Sequence, residues 1–249
     1  MEQTDFAEII RQAIAPYADV TTAHIASGIH SAHPLEAGRG KGPARILAAA
    51  CSEFFRVGYY GASTRDVAAA AGMSATALYA HYPSKESMLF KLCVLGTGSA
   101  LETLRKAAKP ETPPLQRLRS SVYAFAYWHA ENHVLARVAQ WNLAALEPDS
   151  FEVIASLRRE IDYVMRSILV DGVETGEFVV SNLTGATLAI LSLCIDIVRW
   201  YPSRKFHAPE EIASAYVANV EAMVLPTPRR SRSPQRKNER PLRKSRPLA

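Results

Sequence analysis

Residues 64–79 read Thr64-Arg65-Asp66-Val67-Ala68-Ala69-Ala70-Ala71-Gly72-Met73-Ser74-Ala75-Thr76-Ala77-Leu78-Tyr79, and the order of small, turn-forming and apolar residues in this run decides the fold. Ala68 and Ala71 let a second helix approach closely, Gly72 permits the tight turn, and Met73 plugs the angle between the two helices. Ser63 or Thr64 is placed to cap the first helix and Ser74 the second, each offering an oxygen to unpaired amides of the following turn. The second helix is brief, because Pro83 disfavours helical geometry at Tyr82. Leu78 and Tyr82, four apart, face inward and leave Ala75, Thr76, Tyr79 and Ala80 outside. This is the pattern of a helix-turn-helix.

Working outward, Pro43 suits a first helical position, since its missing N–H would be unpaired there anyway. Leu47, Ala50, Cys51 and Phe54 then form one apolar face, and Gly58 ends the helix. Ser84 starts a longer helix through Met88, Leu89, Leu92 and Leu95. Downstream, segments near 97–108, 115–131, 133–146, 150–175, 183–200 and 209–224 keep the 3.6-residue apolar spacing, with breaks at Pro110, Pro113-Pro114, Pro148, Gly176 and Pro202. No period-two alternation appears, so the expected fold is all-α: a three-helix helix-turn-helix domain followed by a larger helical domain.

The outer face of the second helix is small enough to enter the major groove of DNA. Thr76 can reach a base edge or a thymine methyl, the alanines, Ala75 among them, can pack on methyls, and Tyr79, His81 and Lys85 can reach phosphates. Thr64 and Ser74, at the two helix starts, are also expected at the DNA. Arg65 either touches a phosphate or pairs with Asp66. His81 has the alternative of a capping or solvent role.

Residues 43–93 resemble the N-terminal domain of the TetR family of transcriptional regulators. The resemblance rests on Gly58-Tyr59-Tyr60-Gly61-Ala62-Ser63-Thr64-Arg65-Asp66-Val67-Ala68, on Ala70-Ala71-Gly72-Met73-Ser74, and on Leu78-Tyr79-Ala80-His81-Tyr82-Pro83-Ser84-Lys85-Glu86. It implies three DNA-binding helices, a fourth connecting helix, and about five more that form a ligand pocket and a dimer interface. Ala75 and Ala77 stand where the family often has Lys and Thr or Ser, so operator preference is expected to lean on methyl contacts and DNA shape. Gly172-Val173-Glu174-Thr175-Gly176-Glu177-Phe178, the end Ile197-Val198-Arg199-Trp200-Tyr201-Pro202, and Glu210-Glu211-Ile212-Ala213 are similar to a TetR subgroup of steroid- and lipid-catabolism repressors. That subgroup responds to acyl-CoA thioesters; Asp196 and Ile197 depart from its pattern and leave the ligand class open. The implied partners are a double-stranded operator, a second copy of the chain, and a small hydrophobic effector.

For the effector, the expected contacts are Trp128, Trp141, Arg199 and Trp200. Tyr123 and Phe125 share the aromatic stripe, which is equally the pattern of plain core. Arg199 either holds a carboxylate or phosphate or pairs with an acidic neighbour. The helix from Leu183 to Tyr201 is apolar on nearly every side, and Ile212, Ala215, Tyr216, Asn219, Val220 and Met223 line one face of the last helix. These two could pair across a twofold axis that matches a palindromic site.

Composition bounds the alternatives. The 249-residue chain is 48% apolar and carries net charge +5. Pro226–Ala249 holds nine Lys/Arg and one Glu, which leaves −3 on the first 225 residues, so DNA binding must rest on a local surface. Four regions follow: 1–42, an extension with an amphipathic helix over 4–17 and a Gly/Pro-rich linker; 43–90, the helix-turn-helix; 91–225, the ligand and dimerisation domain; 226–249, a basic tail too poor in apolar residues to fold. The tail either raises non-specific DNA affinity or merely solubilises. The leading helix either packs on a partner subunit or belongs upstream of the true translation start. Cys51, Cys93 and Cys194 lie apart in apolar stretches and read as reduced core thiols. With no targeting peptide, and with Ala186–Val198 short for a membrane span and read as a buried helix, the chain is expected in the cytoplasm, off the membrane. His24, His30, His33, His129 and His133 fall in no metal spacing, and no cofactor is implied. No HExxH, P-loop, dinucleotide fingerprint or nucleophile elbow occurs, so an enzyme is not expected. A multidrug-type regulator of an efflux gene and a ligand-independent DNA binder driven by its tail are the competing readings.

Overall fold

The computed structural model describes residues 42–203, 206 and 208–226; the leading helix, most of the linker and the basic tail beyond Pro226 lie outside these. Helix α1 spans Gly42–Val57 and buries Ile46, Leu47, Ala50, Cys51 and Phe54. It ends at Gly58, whose φ of 79° carries the chain into the left-handed turn that a side chain would resist. Helix α2, Thr64–Ala70, opens on a reciprocal capping box between Ser63 and Asp66. It closes on a Schellman turn: Gly72, at φ 64°, donates to the Ala69 carbonyl and Met73 to that of Ala68. Helix α3, Ala75–Tyr79, is capped by Ser74, whose hydroxyl accepts from the Ala77 amide at 3.2 Å.

Helix α4 runs unbroken over Lys85–Ala107, where the sequence suggests two segments meeting near residue 96. Gly96 does not break it. A Cβ there would come within 3.2 Å of the Ala139 Cβ, so the glycine serves a close helix crossing instead. The expected boundary after residue 90 therefore falls inside one rigid rod.

The rest is a helical bundle: α5 Pro114–Glu131, α6 His133–Trp141, a 3-10 turn Leu143–Ala145, α7 Pro148–Glu174, α8 Leu183–Ile195, α9 Ile197–Trp200 and α10 Pro209–Val224. Among the described residues there is no strand. Pro114, Pro148 and Pro209 act as first-turn residues rather than breaks, because the first turn has no use for the missing N–H. Helix α4 packs on α5, α6 and α7, while α10 lies along α5. Gly172 lets Phe178 fold back against α7: a Cβ on Gly172 would sit 1.9 Å from the ring.

One stretch departs from its sequence reading. Leu183–Trp200 is long and apolar enough by composition to cross a membrane, with mean hydropathy 1.5, yet only a third of it is buried. It is two helices divided at Asp196, and Leu188 and Leu193 point outward. The three cysteines are buried and unpaired; burial pushes the thiols of Cys93 and Cys194 up to about 12 and raises that of Cys51 as well.

A helix-turn-helix surface and an internal cavity

The outward residues of α3 form a small continuous face: Thr76, Ala77, Tyr79, Ala80 and His81 are exposed, while Ala75 is half-buried. Thr64 at the start of α2 and Tyr79 at the end of α3 join their hydroxyls at 3.0 Å, which fixes the angle between the two helices. Arg45, which the sequence reading passed over, reaches from α1 to the Ala71 carbonyl at 2.9 Å and satisfies the end of α2. Ser63 donates its hydroxyl and its amide to Asp66, holding that carboxyl below its ordinary range. With Asp66 so occupied, Arg65 is exposed and makes no ion pair among the described residues. The His81 ring lies over Gly42, where a Cβ would come within 3.2 Å of Nε2.

Lys85 is placed differently from its expected phosphate role. Its ammonium turns inward, donating to the carbonyls of Tyr59 at 2.8 Å and Ala62 at 3.0 Å and lying 4.4 Å from the Tyr59 ring centre. The residue straps the α1–α2 turn to the start of α4. The position is half-buried, and unpaired carbonyls there attract the nearest cation before any solvent-side phosphate can.

Within the bundle lies a cavity of about 910 Å³, toward the upper end of the usual range for small-molecule sites. Helices α4 to α9 contribute its walls, and Tyr216 of α10 joins them. Its inner surface is largely apolar and aromatic, with Phe125, Trp128 and Ile161 buried. His129 is buried edge-on between Phe125 and Trp128, its Nδ1–H donating to the Phe125 carbonyl at 2.7 Å. Burial pushes its pKa down to about 4, so the ring is neutral at neutral pH and Nε2 is an acceptor.

Of the residues expected at an effector, Trp128 and Trp141 line the cavity, as does Phe125. Arg199 and Trp200 do not. Arg199 is exposed and holds Asp196 through two bonds of 2.8 Å, an i,i+3 geometry that captures the guanidinium at the surface. Trp200 packs on Phe206, and Tyr123 stacks on Tyr127 outside the cavity. The polar wall that spacing alone did not reveal includes His129, Gln140, Arg158 and Asp162, with Thr97, Ser192 and Asp196 elsewhere on the lining. Arg158 carried a legible signal: it lies four residues after Ile154 and three before Ile161, both buried, so helical geometry turns it toward the interior.

A groove-sized helix face set by a capped helix-turn-helix, joined through one long helix to a cavity-bearing bundle, is the architecture of a DNA-binding regulator. Residues 46–92 match the model for bacterial regulatory proteins of the tetR family, and residues 111–224 match the tetracyclin repressor-like C-terminal domain. A tetR-family regulatory protein from Rhodococcus RHA1 is 39% identical, covering 76% of this chain and 100% of that one, with a TM-score of 0.73. PfmR from Thermus thermophilus, a TetR family transcriptional regulator, is 31% identical over 71% of this chain and 96% of its own, with a TM-score of 0.66. AibR, solved with isovaleryl coenzyme A and operator DNA, shares the fold at 20% identity, 72% and 97% coverage and a TM-score of 0.65. No curated protein matches the sequence. The chain belongs to the TetR family and is a DNA-binding transcriptional regulator.

Proposed function

We propose that this regulator is a homodimeric repressor that leaves a palindromic operator when a hydrophobic or acyl-CoA metabolite fills its cavity. The observation that carries the reading is α4: its first turn is strapped to the helix-turn-helix by Lys85, and Gly96, Thr97 and Ala100 further along line the cavity. An effector that prefers one position of this rod changes the separation of two recognition helices, and only such a preference can shift DNA affinity. Thr76, Tyr79 and Ala75 meet the bases or the adjoining backbone, with Ser74, Thr64, Arg65 and His81 toward phosphates.

Dimerisation is supported by the outward apolar side chains of α8 and α10. Leu188, which also borders the cavity, is 55% and Met223 43% exposed, on helices that each bury their opposite side in the core. Joining such faces across a twofold axis removes them from water and gives the symmetry an inverted repeat requires. The acyl-CoA class is supported by the cavity's apolar walls and by AibR, a protein of the same fold that carries isovaleryl coenzyme A. A protein that acts on chromosomal DNA works in the cytoplasm.

The test is binding of the full-length protein to DNA flanking its own coding region, at fixed salt, with acyl-CoA thioesters, their free acids or neither. Specific binding that a thioester or acid abolishes is expected. Specific binding indifferent to every compound refutes the effector class, and no specific binding refutes the operator.

A further inference from the structure

On the effector reading above, the cavity's lining also bears on the charge of the molecule that enters. The main cavity adjoins a smaller groove of about 370 Å³ beside Leu143, Phe151, Ile154 and Ala155, and Arg158 and Asp162 belong to the walls of both. The two spaces meet at a cation.

Arg158 differs from the arginines around it. Arg159, the next residue, holds Glu152, and Arg105 on the facing helix holds Glu160. Arg158 is half-buried and donates to the neutral side-chain oxygen of Gln140; among the described residues no carboxylate lies within ion-pair distance of it. Asp162, one turn along the same helix, does not close on it. Burial presses its pKa downward, but a guanidinium stays charged at any ordinary pH. A cation withdrawn from water without a counter-ion is costly, and a flat fork of donors beside an apolar chamber matches a carboxylate or phosphate that arrives with a ligand.

We infer that Arg158, steadied by Gln140, is the receptor for an anionic group on the effector, whose apolar body occupies the chamber between Phe125, Trp128 and Ile161 and whose remainder leaves along the α7 groove. The ligand class is thus an apolar body bearing an anion: the carboxylate of a free acid or the phosphates of a coenzyme A thioester. Asp162 adds a second requirement, a hydrogen-bond donor one helical turn from the anion, which hydroxyls and amides supply. Arg199, already closed on Asp196, has no part in binding.

The experiment measures binding to the full-length protein by calorimetry and tryptophan fluorescence. The probes are butyrate, decanoate and palmitate, their coenzyme A thioesters, and the matching neutral alcohols. Wild-type protein is expected to bind at least one anionic series about tenfold or more tightly than the alcohol of equal length, about one charge-assisted contact's worth. R158Q should erase that difference and leave alcohol binding unchanged, R158K should restore part of it, and R199A should behave as wild type. Which series wins, acid or thioester, identifies the anion's source. Equal binding of alcohols and anions by the wild type overturns the inference without any variant, and so does R158Q that keeps the preference. If no probe binds the wild type, the effector reading fails and the inference falls with it.

Discussion

Replacing Lys85 with methionine separates two roles that a cation at this position could play. The structure gives the ammonium two backbone carbonyls, at 2.8 and 3.0 Å, and the Tyr59 ring at 4.4 Å. A hydrogen bond to a charged group is worth about 1.5–3 kcal/mol net, and a partly exposed cation over a ring about 0.5–1 kcal/mol. Lys85 is half-buried, so solvent takes part of this, and methionine keeps the packing of the stem. A loss of roughly 2 kcal/mol remains after the discount for screening. For a chain of this size that is a fall of about 4–8 °C in Tm, with the urea midpoint lowered and the slope unchanged. Operator binding carries the second readout. A lysine on a phosphate contributes about one unit to the dependence of log K on log salt, whereas an inward strap contributes none. K85M should therefore lose stability and keep the wild-type salt slope. Unchanged stability with a slope reduced by about one would refute the strap and restore the phosphate role suggested by the sequence.

Other outcomes follow from packing and charge. G172A should lose about 1–3 kcal/mol in urea unfolding, the usual cost of overpacking, since its new methyl falls 1.9 Å from the buried Phe178 ring and 2.6 Å from that ring's Cγ, leaving no simple side-chain swing. Combined with F178A the cost of the methyl should largely vanish, and additive losses would contradict the clash. His129 is neutral when folded, with a pKa of about 4 against an ordinary 6.5; the unfolded chain binds the extra proton between these values. Its contribution is intact above about pH 6.5 and is lost as pH falls toward 4, about 3 kcal/mol in all. Thermal melts of H129Q from pH 7 to 4.5 should show a shallower pH dependence than wild type, and an identical profile would count against the burial. Truncation after Pro226 should leave sequence-specific operator binding in place while lowering non-specific, salt-sensitive affinity; collapse of specific binding would favour a binder driven by its tail.

The DNA-facing half was legible because its instructions are local. Ser63, Ser74 and Ser84 cap helices within four residues of themselves, and Gly58 and Gly72 take the positive φ that their turns require. The cavity was legible only in part. Trp128 and Trp141 were found as large aromatics at helical spacing, but the same spacing offered Trp200 and Tyr123, and only tertiary packing separates wall from surface. Arg199 misled because its partner, Asp196, is three residues away in a turn that divides the apolar stretch. The inward turn of Lys85 is not legible locally, because the carbonyls it serves, those of Tyr59 and Ala62, are more than twenty residues earlier. Arg158 is visible as a charge on a buried stripe, yet what gives it meaning is that no carboxylate among the described residues lies within ion-pair distance, a property of neighbours from other helices.

Helix α6, part of the cavity wall, packs directly on α1, and two further features join the cavity to the DNA-facing surface. The first is a sandwich: Trp141 of the cavity wall stacks 4.1 Å from the Arg137 guanidinium, which lies 5.1 Å from the Phe55 ring on α1. Both rings are partly exposed, where such contacts are worth about 0.5–1 kcal/mol each. Breaking both would shift an equilibrium by about tenfold. Carrying a regulator from almost wholly bound to almost wholly released takes about 5.5 kcal/mol, so the sandwich alone falls short. The second link is α4, whose buried side chains pack on α1 at one end and on the cavity helices at the other. A displacement of this rod engages many core contacts together, because a close-packed interior transmits a shift rather than absorbing it. On the proposed function, then, Trp141 and Arg137 tune the response and the packed helices α4 and α6 carry it to α1, and an effector that moved the tryptophan without moving these helices would bind without releasing DNA.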